Sequence, residues 1–208
     1  IIDSSYPHEI LHNWWGNGVY PDYESGNWSE GLTAYLADHL FQEVEGRGPE
    51  YRKEMLARVK NYVSEAADFP LEEFTSRNSA ASQAIGYGKT LMLWHMLRLE
   101  LGDELFVRGL KQFYRDFQFK RASFSDIATH FSALAERDLQ PFFTQWVTRK
   151  GAPEIAVSVL EERGDKARLM FAQIQDEAPF AFTVPVALYY AGSDVPQLVD
   201  VTLSQRAE

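Results

Sequence analysis

The hydrophobic pattern of this chain changes period at Gly151-Ala152-Pro153, and no other feature constrains the possible folds as strongly. Before this point, apolar residues recur every three or four positions, which is typical of helices. Beyond it, apolar and polar residues alternate, as around Val157 and Val159, which is typical of half-buried strands. We therefore predict a mainly α chain with a C-terminal β part, divided into a helical domain over residues 1–152 and a small antiparallel β domain over residues 153–208.

Glycine, proline and polar turns divide the first part of the chain into separate helical segments. The segment over residues 84–100 is apolar almost all round, so we expect this helix to be central in the core. Apolar spacing and turn signals together predict helices over residues 7–15, 29–45, 50–66, 84–100, 103–117, 125–136 and 138–149, and strands around residues 155–159, 169–173, 182–188 and 198–203.

Composition excludes several classes of protein. The 208 residues are 45% hydrophobic and 14% aromatic, so the chain is too apolar to be a disordered tail. The net charge is −10, and residues 1–50 carry nine acidic side chains against Arg47 alone, which makes nucleic acid an unsuitable partner. The sequence has no cysteine and no run of about 18 uncharged apolar residues, so we expect neither disulfides nor a transmembrane segment.

The sequence His8-Glu9-Ile10-Leu11-His12 matches the H-E-x-x-H zinc pattern. Residues four apart on a helix differ by about 40° in direction, so His8 and His12 share one face and can bind one metal ion. The carboxylate of Glu9 is then a candidate general base for water activated by that metal. A chain of this composition would contain the pattern by chance about once in a hundred cases, and two surface histidines on a helix remain the alternative.

A catalytic zinc site needs a third protein ligand. The metzincin pattern would require glycine and histidine where this chain has Trp15 and Gly18, so that class is excluded. Glu30, in Asn27-Trp28-Ser29-Glu30-Gly31, begins the next predicted helix, which would pack antiparallel to the first. Glu30 is therefore the predicted third ligand, and Glu24 in the preceding loop is its rival.

Three segments resemble one known family, in the same order along the chain. Residues 8–17 followed by 28–31 resemble the zinc-binding core of the membrane alanyl aminopeptidases (aminopeptidase N-like, gluzincin class). Residues 84–89 resemble that family's catalytic-tyrosine helix, and residues 145–153 resemble the junction to its small β domain. The resemblance implies the thermolysin-like helical half of a zinc peptidase domain, followed by a small antiparallel β-sandwich.

Carried over residue by residue, the resemblance implies that His8, His12 and Glu30 bind one Zn²⁺ per chain and that Glu9 is the general base. It makes Tyr87 the hydroxyl that stabilises the tetrahedral oxyanion. The residues themselves agree, because a tyrosine between Gly86 and Gly88 leaves space for a substrate carbonyl, although a tyrosine on its own is more often a core aromatic. The resemblance implies peptide substrates cleaved at their N-terminal peptide bonds; it identifies no substrate-binding residue and no side-chain preference.

The sequence departs from the family in two ways. The family places eighteen residues between the second histidine and the glutamate, and this chain has seventeen, Asn13 to Ser29. The Gly-x-Met-Glu-Asn segment that holds the substrate amine in the family is absent from these residues. We therefore expect the chain to be the downstream part of a bacterial protein, cytoplasmic or exported, with targeting signals elsewhere. Its partner would be the upstream domain of the same protein, and the isolated fragment would bind zinc but show little peptidase activity.

Two other functions stay open at this point. One is an endopeptidase or other hydrolase on the same zinc core, including epoxide hydrolysis, which one branch of the family performs. The thermolysin type is less suitable, because it has aspartate where this chain has Ala34 and a histidine where Tyr87 is expected to act. The other is a peptidase-like binding module without catalysis. The remaining histidines, His39, His95 and His130, are expected to be core or surface residues rather than ligands.

Overall fold

This computed structural model describes residues 5–164, 166–190 and 192–207. The chain divides into two compact units, one ending at Lys150 and the other beginning at Gly151. The first unit is helical and the second is antiparallel β, so the predicted fold class is confirmed. In the described part of the chain, no helix is both long enough and apolar enough to cross a bilayer.

The helical unit consists of α-helices joined by short 3₁₀ turns, two π-helical turns and a small parallel ladder. Its α-helices are α1 Ser5–Leu11, α2 Trp28–Ala34, α3 Leu40–Val44, α4 Gly48–Tyr62, α5 Ala80–Gln83, α6 Thr90–Leu101, α7 Asp103–Phe117, α8 Phe124–Ala135 and α9 Gln140–Thr148. The π-helical turns are Tyr35–His39 and Ala84–Lys89, the 3₁₀ turns are Tyr23–Ser25, Glu65–Ala67 and Leu71–Glu73, and the parallel pair is β1 Tyr20–Pro21 with β2 Arg121–Ala122.

The first helix ends earlier than the sequence predicts, at Leu11 instead of Trp15. The backbone turns there because His12 uses its ring Nδ1 to bind the Trp15 carbonyl at 2.8 Å. Trp15 then pairs with Val19 in an isolated bridge, and Gly16 adopts a φ of 125°, which favours glycine. A side-chain hydrogen bond of His12 and a glycine turn therefore stand where the sequence predicts the last helical turn.

The helix predicted over residues 84–100 is longer, since α5, the second π-helical turn and α6 follow one another from Ala80 to Leu101. Ser79 begins it with a capping box, in which the Ser79 and Ser82 side chains each accept a backbone N–H. As predicted, this segment lies in the core, where Ile85, Leu91, Leu93, Trp94 and Leu97 have no exposed surface. Its ring contacts include those with the fully buried side chains of Tyr35, Phe74, Phe106 and Phe131.

Histidines outside the zinc pattern have structural positions. His39 is fully buried, and its Nε2 accepts a hydrogen bond from the Arg52 guanidinium at 2.7 Å. His95 lies 3.1 Å from the Tyr35 hydroxyl, and His130 bonds the Gly109 carbonyl at 3.0 Å. None of the three is part of the candidate metal group described below.

The β unit consists of two antiparallel hairpins. Strand β3 (Ile155–Arg163) pairs with β4 (Lys166–Gln173), with a register shift between Val159 and Glu161, and β5 (Phe182–Leu188) pairs with β6 (Gln197–Leu203). The turn between β3 and β4 is short, because the pairing continues to Arg163 and Lys166; residue 165 lies outside the described residues. The side chain of Gln173 links the two hairpins through hydrogen bonds to the backbone of Phe180 and Gln205.

Candidate metal centre and active site

Helix α1 and the turn that follows it place the two histidines of the zinc pattern side by side, with His8 in the helix and the His12 N–H bonded to the His8 carbonyl at 3.3 Å. Their ring centroids lie 4.8 Å apart and the rings are nearly perpendicular, at 79°. His8 is 8% exposed, so its imidazole lies at the buried base of the site. Each Nδ1 is bound to an oxygen, that of His8 to the Asp38 carboxylate at 3.0 Å and that of His12 to the Trp15 carbonyl at 2.8 Å. Both Nε2 atoms are therefore left as ligand atoms.

Helix α2 brings Glu30 to these two imidazoles. Asn27 caps this helix by accepting hydrogen bonds from the backbone N–H and the hydroxyl of Ser29. Gly31 allows α2 to pack closely on α6, because a Cβ at this position would lie 2.3 Å from the Cβ of Thr90. The close packing sets the position of Glu30 at the beginning of α2.

The three predicted ligands form one group. The Glu30 Oε2 atom lies 3.4 Å from the Nε2 of His8 and 3.4 Å from the Nε2 of His12. Two ligands bound tetrahedrally to Zn²⁺ at about 2.0–2.2 Å are separated by about 3.3–3.5 Å, so both distances fit a shared zinc ion. The described residues that could hold a metal are His8, His12 and Glu30, and the rival Glu24 is outside this group.

The electrostatics of the group favour a cation between these side chains. Burial opposes the charged form of His8, but the hydrogen bonds to Asp38 and Glu30 outweigh it and raise the pKa of His8 to about 9. The hydrogen bond to Glu30 also raises the pKa of His12 above its ordinary value. Burial works against the Glu30 carboxylate, yet hydrogen bonds from His12, His8 and Tyr87 hold its pKa well below the usual range. Glu30 is therefore ionised and faces two groups that gain a positive charge easily.

Tyr87 lies beside this group, in the π-helical turn Ala84–Lys89. Its ring stacks on His8 at 6.0 Å between centroids and meets Phe74 edge to face at 6.2 Å. Gly86 makes the second contact possible, since a Cβ there would lie 2.0 Å from the Phe74 ring. Burial and the hydrogen bond to Glu30 raise the pKa of the Tyr87 hydroxyl, so it remains a neutral donor.

A cleft of about 710 Å³ joins these side chains to solvent. Glu9 is exposed and lines this cleft together with the three predicted ligands and Tyr87. The other lining residues are Asp38, Arg58, Ser76, Arg77 and Gln83. The structure thus brings all five predicted site residues to one cleft, with room for a substrate.

Residues 4–146 match the model of the peptidase family M1 domain, which is more than half of the chain. This chain belongs to peptidase family M1. The resemblance to aminopeptidase N-like proteins is thereby confirmed.

Named relatives of this M1 chain include the leucyl aminopeptidase of Saccharolobus solfataricus, 24% identical over 93% of this chain and 26% of its own length. The aminopeptidase N of Lactococcus lactis is 24% identical over 74% of this chain and 19% of its own length. The chain therefore spans about a quarter or less of the curated relatives that it matches.

Solved structures share the fold. The match to the Legionella pneumophila aminopeptidase A in complex with aspartic acid covers 97% of this M1 chain and 23% of the Legionella chain, with a TM-score of 0.68 at 23% identity. The match to an M1 zinc metallopeptidase from Deinococcus radiodurans covers 71% of this chain and 33% of the Deinococcus chain, with a TM-score of 0.58 at 25% identity. Zinc is therefore the metal that membership of family M1 implies.

Asp38, which accepts a hydrogen bond from His8 and so fixes its orientation, was not predicted from the sequence. A regular helix separates residues 30 and 38 by about 80° in direction, so the spacing does not suggest that both contact His8. Asp38 lies in the π-helical turn Tyr35–His39, which changes the direction of the side chains that follow α2. The available signal was an acidic residue about two turns after the predicted ligand Glu30, but only the tertiary structure shows that Asp38 contacts His8.

Proposed function

We propose that this chain carries the catalytic centre of a zinc aminopeptidase that hydrolyses the N-terminal peptide bond of peptides. The observation that carries the proposal is that His8, His12 and Glu30 converge at metal-ligand spacing, in the cleft that Glu9 and Tyr87 also line. The relatives of this chain are named as aminopeptidases, which favours removal of N-terminal residues over internal cleavage. We further propose one zinc ion per chain, since the described residues offer one group of three ligands.

The residues of the chain divide the work of hydrolysis. When bound, zinc supplies a Lewis acid that polarises the scissile carbonyl and lowers the pKa of water. Glu9 accepts a proton from the attacking water and delivers it to the leaving amine. Tyr87, kept neutral by its raised pKa, donates a hydrogen bond to the oxyanion that develops on the carbonyl. Asp38 and the Trp15 carbonyl hold the two imidazoles in the tautomer that directs Nε2 inward.

Recognition of the substrate ammonium requires further groups. Of the acidic residues that line the cleft, Glu30 and Asp38 are engaged by the imidazoles, and Glu9 is the proposed base. We therefore propose that residues beyond these 208 hold the ammonium. Activity is accordingly measured on the complete polypeptide that contains this chain, whereas metal binding is measured on the chain itself.

Elemental analysis tests the metal site first. We expect about one zinc ion per chain, and less than about a tenth of that in His8→Ala, because removing one of three ligands leaves an incomplete site. A chain that holds no metal before or after this substitution would be the non-catalytic binding module.

Turnover of an alanyl anilide tests the chemistry. Glu9→Gln is expected to abolish turnover while zinc stays bound, because the amide cannot accept the proton. Tyr87→Phe is expected to lower kcat by about 10²–10³ with little change in KM, because its hydrogen bond forms in the transition state. Turnover that survives Glu9→Gln would contradict the proposal.

A further inference from the structure

Two arginines line the cleft beside the predicted ligands. Arg77 lies in the segment between the 3₁₀ turn Leu71–Glu73 and α5, and Arg58 lies on α4. Among the described residues that line this cleft, they are the arginine or lysine side chains. The mechanism above uses neither of them, so their place in the cleft needs its own explanation.

The two arginine side chains differ in whether they form an ion pair with an acidic side chain. Arg58 forms an ion pair with Glu54 at 2.7 Å, one turn away on the same helix. Arg77 is exposed and forms no salt bridge with any acidic side chain that the structure describes; its guanidinium carbon lies over the Tyr87 ring, 5.9 Å from the centroid. The Arg77 guanidinium can therefore offer its paired N–H donors to a carboxylate.

The distance from Tyr87 limits which part of a substrate Arg77 can reach. A tyrosine hydroxyl lies about 3 Å from its ring centroid, so the Arg77 guanidinium carbon lies within about 9 Å of the Tyr87 hydroxyl. A hydrogen bond of about 2.8 Å then puts a carbonyl oxygen bound by Tyr87 within about 12 Å of that carbon, and a carboxylate bound by Arg77 would lie about 4 Å nearer to the carbonyl. Because one residue of an extended peptide spans at most ~3.6 Å, this reach covers one or two residues from the scissile bond.

The charge of Arg77 selects the chemistry of its partner. A guanidinium repels the substrate ammonium, so it is suited to the leaving side of the scissile bond. A carboxylate is the negative group that a peptide can place there, either at its C-terminus or on an acidic side chain. Every dipeptide and tripeptide brings its C-terminal carboxylate to this distance, whatever its sequence.

We propose that Arg77 binds the C-terminal carboxylate of short substrates and so makes dipeptides and tripeptides with a free C-terminus the preferred class. This specificity rests on the proposed aminopeptidase function. Arg58, which lines the same cleft, adds positive charge while staying paired with Glu54.

Three substrates test the proposal on the zinc-loaded complete polypeptide: alanyl-alanine, its C-terminal amide, and alanyl-glutamate with an amidated C-terminus. In Arg77→Gln we expect KM for alanyl-alanine to rise roughly tenfold, because a charge-assisted contact is lost, while its kcat stays within about twofold. Both amidated substrates should be unaffected. Arg77→Lys should restore part of the loss, and Arg108→Gln, at an exposed position of α7 outside the cleft lining, is the matched control.

Either of two outcomes of the Arg77→Gln assay would overturn the assignment. An equal loss on the acid and the amide would mean that Arg77 acts through Tyr87 or the fold, and a loss confined to amidated alanyl-glutamate would place the carboxylate on a side chain. If the unsubstituted protein hydrolyses none of the three substrates, the proposed function fails separately. In that case, calorimetry on the zinc-loaded Glu9→Gln variant measures the affinities for alanyl-alanine and its amide. Equal affinities would refute the proposal that Arg77 binds the C-terminal carboxylate.

Discussion

Asp38 is expected to control zinc affinity without touching the metal. Its carboxylate accepts a hydrogen bond from the His8 Nδ1 at 3.0 Å, and the two side chains are 23% and 11% exposed, so solvent replaces this contact poorly. Loss of such a partner costs about 10–100-fold in metal affinity, which corresponds to about 1.4–2.7 kcal/mol. Asp38→Asn keeps an acceptor oxygen and loses the charge, so we expect a loss of about tenfold, and Asp38→Ala about a hundredfold.

Proton competition acts in the opposite direction. The pKa of His8 is about 9 in the metal-free protein, partly because of Asp38, so at neutral pH a proton competes with zinc. Removing the Asp38 charge lowers the pKa of His8 and weakens this competition, which offsets part of the loss. The predicted decrease should therefore become larger as the pH of the titration rises towards 9.

The assay is a competitive titration of the chain against a chromophoric zinc chelator at several pH values. Glu24→Gln is the matched control, because Glu24 is exposed and outside the ligand group, and its affinity should stay within about twofold of the original. Equal affinities for the original chain and Asp38→Ala at every pH would refute the positioning role. A large loss in Glu24→Gln would instead mean that the third ligand is misassigned.

Two further predictions concern stability. Gly86→Ala should destabilise the chain by about 1–3 kcal/mol, because its Cβ would meet the Phe74 ring at 2.0 Å, whereas Gly88→Ala, whose Cβ finds contacts of 3.5 Å and beyond, should be neutral or slightly stabilising in the same urea titration. Burial and the charge of Arg52 lower the pKa of His39 to about 4, so the folded state takes up this proton less readily than the unfolded state, whose pKa is about 6.5. The contribution of His39 to stability should be fully present above pH 6.5 and should fall by about 3 kcal/mol as the pH drops towards 4, a range in which the lowered pKa of His95 acts in the same direction. His39→Gln should reduce the slope of stability against pH over this range, and an unchanged slope would contradict the assignment.

The predicted histidine ligands and the predicted base could be selected from the sequence because their selection depends on local spacing. Four residues make one helical turn, so the sequence alone places His8 and His12 on one face with Glu9 beside them. Glu30 was a better candidate than Glu24 because it begins the next predicted helix and its Trp-x-Glu-Gly segment matches the family, whereas Glu24 lies in the loop; the structure brings Glu30 to the two imidazoles. The family resemblance carried the assignment of Tyr87, because a single tyrosine between two glycines does not by itself identify an oxyanion donor.

The sequence by itself determined the helical and β parts of this chain and which residues are candidate zinc ligands, since hydrophobic period and residue spacing are local properties. The tertiary structure alone decided that α1 ends at Leu11, that Asp38 orients His8, and that Arg77 stands over Tyr87. Each of these depends on a side chain that contacts a residue on another element or across a turn. The hydrophobic periodicity of the sequence contains no information about such contacts.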